Sequence, residues 1–194
     1  RLTPERILNI KGNWKAGLPH GLAEVSYGNG DIFRGLYLDG SVNGYGERFF
    51  ADGYVYKGTF EGSVENFTSG HIYDNYGKLV YHGTLKATVD EKNLWTVQFH
   101  GTGTIYTYHP DGQIYYIYIG DMRNDMPHGQ GLYIEGQSQC EGRFFEFVFI
   151  EGKCTTGHET QTGTFSTDKN GYWIHRKGTK EYFVTDSYHW KYEG

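Results

Sequence analysis

The sequence predicts an all-β protein: an elongated single-layer antiparallel sheet of tandem β-hairpin repeats, curled into a groove, with atypical capping ends. Three observations carry this expectation. A glycine followed two positions later by a large apolar residue recurs at Gly12, Gly35, Gly58, Gly83, Gly120, Gly142 and Gly163, and the first three are 23 residues apart. A fixed period of that size marks an array of small units, each touching mainly its neighbours. Turn-forming Asn-Gly and Asp-Gly pairs punctuate the chain at Asn29-Gly30, Asp52-Gly53, Asp111-Gly112 and Asn170-Gly171. Finally, among 194 residues there are 29 Gly, 18 Tyr and 12 Phe, yet the hydrophobic fraction is only 37%, lean for a two-layer domain and in keeping with a single layer.

In chain order, residues 1–9 read as an N-terminal cap. Thr3-Pro4-Glu5 has the form of a helix start, with an N-cap hydroxyl, proline at the first helical position and an acid in the first turn. The repeat array is expected over 10–171. Two residues before the anchor glycine stand Ile10, Phe33, Tyr56, Tyr81 and Tyr118; two after it stand Trp14, Tyr37, Phe60, Leu85, Met122, Phe144 and Phe165. Residues two apart on a strand share a face, so each unit opens with bulky side chains flanking a glycine on one side. The other face is mostly polar. Gly21, Gly44 and Gly129, nine residues after their anchors, lead into a second alternating stretch, which makes each unit a hairpin.

A glycine inside a strand is normally a weakness. Here it leaves a slot that a neighbouring ring can cover, and ring-over-glycine packing is the expected cement. Burying one ring removes about 150–250 Å² from water, a gross gain of roughly 4–6 kcal/mol before entropy. A lone hairpin is marginal, so stability must come from stacking the units. An insertion is expected near 84–99, where the spacing lengthens. Residues 172–194, with Tyr172-Trp173-Ile174, Glu181-Tyr182-Phe183-Val184 and Tyr188-His189-Trp190-Lys191-Tyr192, read as capping strands without the repeat glycines.

Phe33-Arg34-Gly35-Leu36-Tyr37, Tyr56-Lys57-Gly58-Thr59-Phe60 and Gly44-Tyr45-Gly46 resemble the MORN repeat (membrane occupation and recognition nexus), whose pattern is Tyr-x-Gly-x-Trp, then His-Gly-x-Gly, then Asp-Gly. The likeness runs from about Ile10 to Gly171. It departs from the pattern at Glu65 to Gly70, where His-Gly-x-Gly is lost, and at Cys140 and Gln161, which stand where an aromatic belongs. The resemblance implies a non-catalytic scaffold or adaptor, cytoplasmic and associated with cytoskeletal or ciliary assemblies. It leaves two alternatives: a phospholipid-surface module, or the accessory repeat segment of a larger enzyme. Homodimers are also expected from the resemblance.

Charge and motifs narrow the field. The net charge is −5, from 18 basic and 23 acidic residues, with no dense basic cluster of the kind phosphate backbones require, so nucleic acid is not an expected partner. Membrane contact is expected to be weak for the same reason, although Lys11, Arg34 and Lys57 recur at one repeat position and would align as a basic stripe. No nucleophile elbow, P-loop, zincin motif or Gly-x-Gly-x-x-Gly is present. His20 and His128 occupy equivalent turns, which argues for structural use. No catalytic residue, metal or cofactor is therefore expected. Two cysteines, Cys140 and Cys154, do not make the disulfide framework of a small secreted domain, and a reducing compartment is the default. Asn66-Phe67-Thr68 matches a glycosylation acceptor of low specificity. The chain begins at Arg1 and reads as a fragment or processed product.

The expected binding surface is the aromatic face, with Tyr37, Tyr56, Phe60, Tyr81 and Tyr118 lining a concave groove that takes a partner helix or extended segment. The competing expectation is that these rings pack only on adjacent units. The strand Tyr115 to Ile119 is apolar on both faces and is expected to meet something beyond the sheet, either the insertion with Trp95 or another protein.

Overall fold

The structure, a computed structural model, describes residues 7–63, 67–89, 95–183 and 189–193. Strands follow one another in sheet order as they do in sequence, and the described residues contain no helix. The chain divides into two compact units, Arg1–Phe99 and His100–Gly194.

The first unit contains β1 (Ile7–Lys15), β2 (Leu18–Tyr27), β3 (Ile32–Leu38), β4 (Ser41–Phe49), β5 (Val55–Gly62), β6 (Phe67–Tyr73) and β7 (Leu79–Val89). Their antiparallel register places Gly12, Ala23, Gly35, Gly46, Gly58, Gly70 and Gly83 opposite one another in a single row. The second unit takes most of β8 (Trp95–Tyr108), then β9 (Ile114–Arg123), β10 (Met126–Glu135), β11 (Ser138–Phe145), β12 (Val148–Thr155), β13 (Glu159–Thr167), β14 (Trp173–Phe183) and β15 (His189–Glu193). It repeats the device with Gly103, Gly120, Gly131, Gly142, Gly152, Gly163 and Gly178. Gly178 lies within the stretch read as lacking repeat glycines, and the row extends into it. Gly70 likewise keeps its place although its repeat has lost the His-Gly-x-Gly pattern.

Each row is a trough one residue wide, and the ring two positions before the anchor reclines along it. Phe33 covers Gly35 and Gly46, Tyr56 covers Gly58 and Gly70, and Tyr118 covers Gly120 and Gly131. A methyl group at Gly46 would stand 2.7 Å from Phe33 Cζ, and one at Gly70 would stand 2.6 Å from Tyr56 Cε2. No Cβ fits there. The tyrosines add a polar lock three residues downstream: Tyr56 Oη donates to Thr59 O at 3.1 Å and across the strand to Ser69 O at 2.8 Å, Tyr81 Oη to Thr84 O at 2.7 Å, and Tyr118 Oη to Asp121 O at 2.9 Å. Burial raises the Tyr56 and Tyr118 phenol pKa values well above the ordinary range, which keeps both hydroxyls as donors.

Turns follow the expected chemistry. Gly30, Gly53, Gly112 and Gly171 have φ of 94, 94, 90 and 86°, and the preceding Asp52 and Asp111 accept backbone N–H bonds two residues on. Residues 7–9, assigned to the cap, are the start of β1, while residues 1–6 of the expected helix lie outside the described residues. The expected insertion is a lengthening of β7 and β8. Its residues 90–94 lie outside the described ones, as do the side chain of Trp95 and the acceptor Asn66.

Candidate functional site

The five rings expected to line an open groove are all covered. Tyr56, Phe60, Tyr81 and Tyr118 are fully buried, and Tyr37 is 9% exposed. The first unit joins three of them in one ladder: Phe33 meets Tyr37 at 5.9 Å between ring centroids and Phe60 at 4.9 Å, and Phe60 meets Tyr56 at 5.1 Å, all edge to face. Tyr81 lies flat on Phe99 at 3.8 Å. In the second unit Tyr118 meets Phe144 at 5.1 Å, again edge to face. The repeating contact is therefore a ring before one anchor glycine against the ring after the next anchor. Ring–ring contact and glycine contact together consume the surface that a partner was expected to touch, so these residues are packing groups.

Apolar side chains stand exposed on the opposite face. Beside the first glycine row, Leu22, Leu36 and Tyr45 are 68%, 44% and 59% exposed. Leu22 and Leu36 are cross-strand partners, and Tyr45 follows on the next strand. Leu22 and Tyr45 border a shallow hollow of about 420 Å³ floored by Ala23, Gly35 and Gly46. On the other side of the same row the register aligns Lys11, Glu24, Arg34, Glu47 and Lys57. Arg34 Nε sits 2.7 Å from Glu24 and Lys57 Nζ 2.9 Å from Glu47. The Arg34 hydrogen bond lowers the Glu24 pKa, and the Glu47 hydrogen bond raises that of Lys57. What the repeat position alone presents as a basic stripe is a row of alternating charge, because each intervening strand supplies a glutamate.

One strong feature escapes the sequence reading. Arg48 points to the ring face from β4, in register with Phe33 and Tyr56, and is buried together with Asp31. Its Nη2 lies 2.7 Å from Asp31 Oδ2 and its Nε 3.1 Å, while Asp31 Oδ1 accepts the Ala51 N–H at 3.0 Å. The guanidinium also lies 5.1 Å from the centre of the Phe50 ring. Both carboxylate oxygens of Asp31 thus accept, and the ion pair sits between the strands that carry Phe33 and Tyr56. His20, by contrast, sits against Asp39 in an exposed turn, and His128 against Phe145. No group of three metal-ligating side chains forms among the described residues.

In the second unit, Cys140 and Cys154 are cross-strand partners 4.0 Å apart at Cα and form a disulfide. The pair thus does make a covalent link, at the position where other repeats place a ring. The turn between β11 and β12 is unusual too: Glu146 and Phe147 have φ of 47 and 68°, a left-handed conformation that bulky residues seldom adopt. Phe147 is held by its N–H to Pro127 O at 3.0 Å, and its ring faces Tyr116, Tyr133 and Trp173. Of the strand that is apolar on both sides, Tyr115 and Ile119 are exposed while Tyr116 packs on Tyr133.

These features define a class: a tandem-hairpin repeat protein whose strands are cemented by rings lying over glycine rows. A family model for the MORN repeat matches residues 11–32 and 118–134, one segment in each unit, around Gly12 and Gly120. The chain therefore carries MORN repeats, at the least in these two segments. The Gly35 and Gly58 repeats fall outside the matched segments and build the same row in the same way.

Proposed function

We propose that this protein is a non-catalytic scaffold or adaptor that holds a protein partner, a helix or an extended segment, inside a larger cytoplasmic assembly of cytoskeletal or ciliary kind. MORN repeats in general serve as interaction modules rather than as enzymes, which supports the coarse form of the reading. The observation that carries it further is the exposed apolar strip Leu22, Leu36 and Tyr45 beside a charge-alternating row on the face opposite the buried rings. An apolar strip with a polar rim suits a protein segment. A phospholipid surface is less well served, since Glu24 and Glu47 pair with the basic residues that would attract it.

The test is capture from native cells with a photo-crosslinking residue at Tyr45, compared with the Leu22→Glu and Tyr45→Glu variants in pull-down. These side chains are mostly exposed, so the variants keep the fold, checked by circular dichroism. A discrete protein crosslinked at Tyr45 and lost in both variants supports the strip. Undiminished capture by both refutes it.

A further inference from the structure

The ring face of the second unit is unevenly filled. Cys140 and Gln161 occupy positions that carry rings elsewhere, and beside them opens a cavity of about 750 Å³. Its aromatic walls include Tyr115, Tyr133, Phe147, Tyr172 and Trp173. Tyr133 and Trp173 meet edge to face at 4.9 Å, and Tyr133 and Phe147 at 6.0 Å, so the walls present ring faces in different orientations. Phe147 reaches this place only because the β11–β12 turn holds it left-handed, a conformation bulky residues keep only where the surroundings enforce it.

The charge of the cavity is one-sided. Glu135 and Glu146 line it, and no lysine, arginine or histidine does among the described residues. Tyr133 Oη donates to Glu135 Oε2 at 2.8 Å, and the Glu135 charge raises the pKa of the Tyr115 phenol on the same wall. The Tyr133 phenol therefore holds this carboxylate in place, and a carboxylate offers about four lone-pair sites, so acceptor capacity remains. Rings of negative face, an anchored anion with spare acceptors and no built-in cation are complementary to an organic ammonium group.

We propose that this cavity receives the alkylammonium end of a lysine side chain presented by a protein partner. Lysine fits better than a quaternary ammonium because its N–H groups can bond to Glu135, which a choline head group cannot do. The source of the lysine rests on the reading of the chain as a protein-binding module. The site itself lies in a different unit from the Leu22–Tyr45 strip.

The experiment titrates the full chain with Nα-acetyl-lysine N-methylamide, its norleucine counterpart and phosphocholine, followed by NMR of the Trp173 indole and the Phe147 ring. The lysine probe should shift both in a saturable way and bind at least about tenfold tighter than the norleucine probe, a difference of about 1.4 kcal/mol. Glu135→Gln should lose about tenfold with an unchanged melting temperature. Phe147→Gly, which relieves the turn, should lose binding while remaining folded. Equal binding of the norleucine probe, preference for phosphocholine, or an undiminished Glu135→Gln titration would overturn the proposal. Absence of probe binding with crosslinking at Tyr45 intact removes the cavity alone, and the converse removes the strip alone.

Discussion

Replacing Gly46 with alanine puts the ring-over-glycine packing to a direct test. Gly46 does not occupy the left-handed region, so backbone strain plays no part. In an open strand the change would stabilise by roughly 0.5–1 kcal/mol, because alanine has less chain entropy to lose. At this site the new Cβ would stand 2.7 Å from Phe33 Cζ, 2.8 Å from Phe33 Cε2 and 3.1 Å from Arg34 O. Phe33 is fully buried and braced by Phe60 at 4.9 Å and Tyr37 at 5.9 Å, so its ring cannot swing clear. Overpacking of this kind costs about 1–3 kcal/mol, which leaves a net destabilisation of about 1–2 kcal/mol. Urea unfolding followed by circular dichroism should show it as a lower midpoint at unchanged slope. In a Phe33→Leu background the same substitution should become neutral or stabilising, giving a coupling of about 1–3 kcal/mol between the two sites. If Gly46→Ala is as stable as the parent, or equally damaging with and without the Phe33 ring, the packing argument is wrong.

Asp31→Ala should cost about 3–5 kcal/mol in urea unfolding, because the Arg48 side chain, 4% exposed, would be left charged and buried. The Asp31→Leu, Arg48→Met double variant should recover most of that loss, and if it does not, the pair contributes more than mutual compensation. Reduction of the Cys140–Cys154 bond, whose partners are 14 residues apart, should destabilise the protein by about 3 kcal/mol, read as a lower melting temperature with reductant that a Cys140→Ala, Cys154→Ala variant does not show.

The sequence made the fold legible because the feature that builds it repeats. A glycine with bulky residues two positions to either side is visible at Gly35 and Gly58, and the same spacing dictates the strand face and the turn ends. Gly178 was missed because its flanking residues, Arg176 and Lys180, do not carry the aromatic signature, although its backbone completes the row opposite Gly163. The fate of the rings was less legible. Whether Tyr56 or Tyr118 stands open or lies flat depends on which ring of the next repeat reaches it, and that is a property of register and curl rather than of pattern. Asp31 and Arg48 escaped because each occurs once, so no period marks them. Cys140 was noticed as a gap in the ring pattern, but its pairing with Cys154 follows from the β11–β12 register, in which a ring position on one strand meets a ring position on the next.

The strictly sequential strand order also bears on how the molecule is made. Among the described residues no strand waits for a distant later segment, so hydrogen-bonded pairing can begin as soon as a second strand has emerged from the ribosome, and each newly made hairpin finds a finished template beside it. Synthesis can therefore advance with only one growing edge exposed at a time.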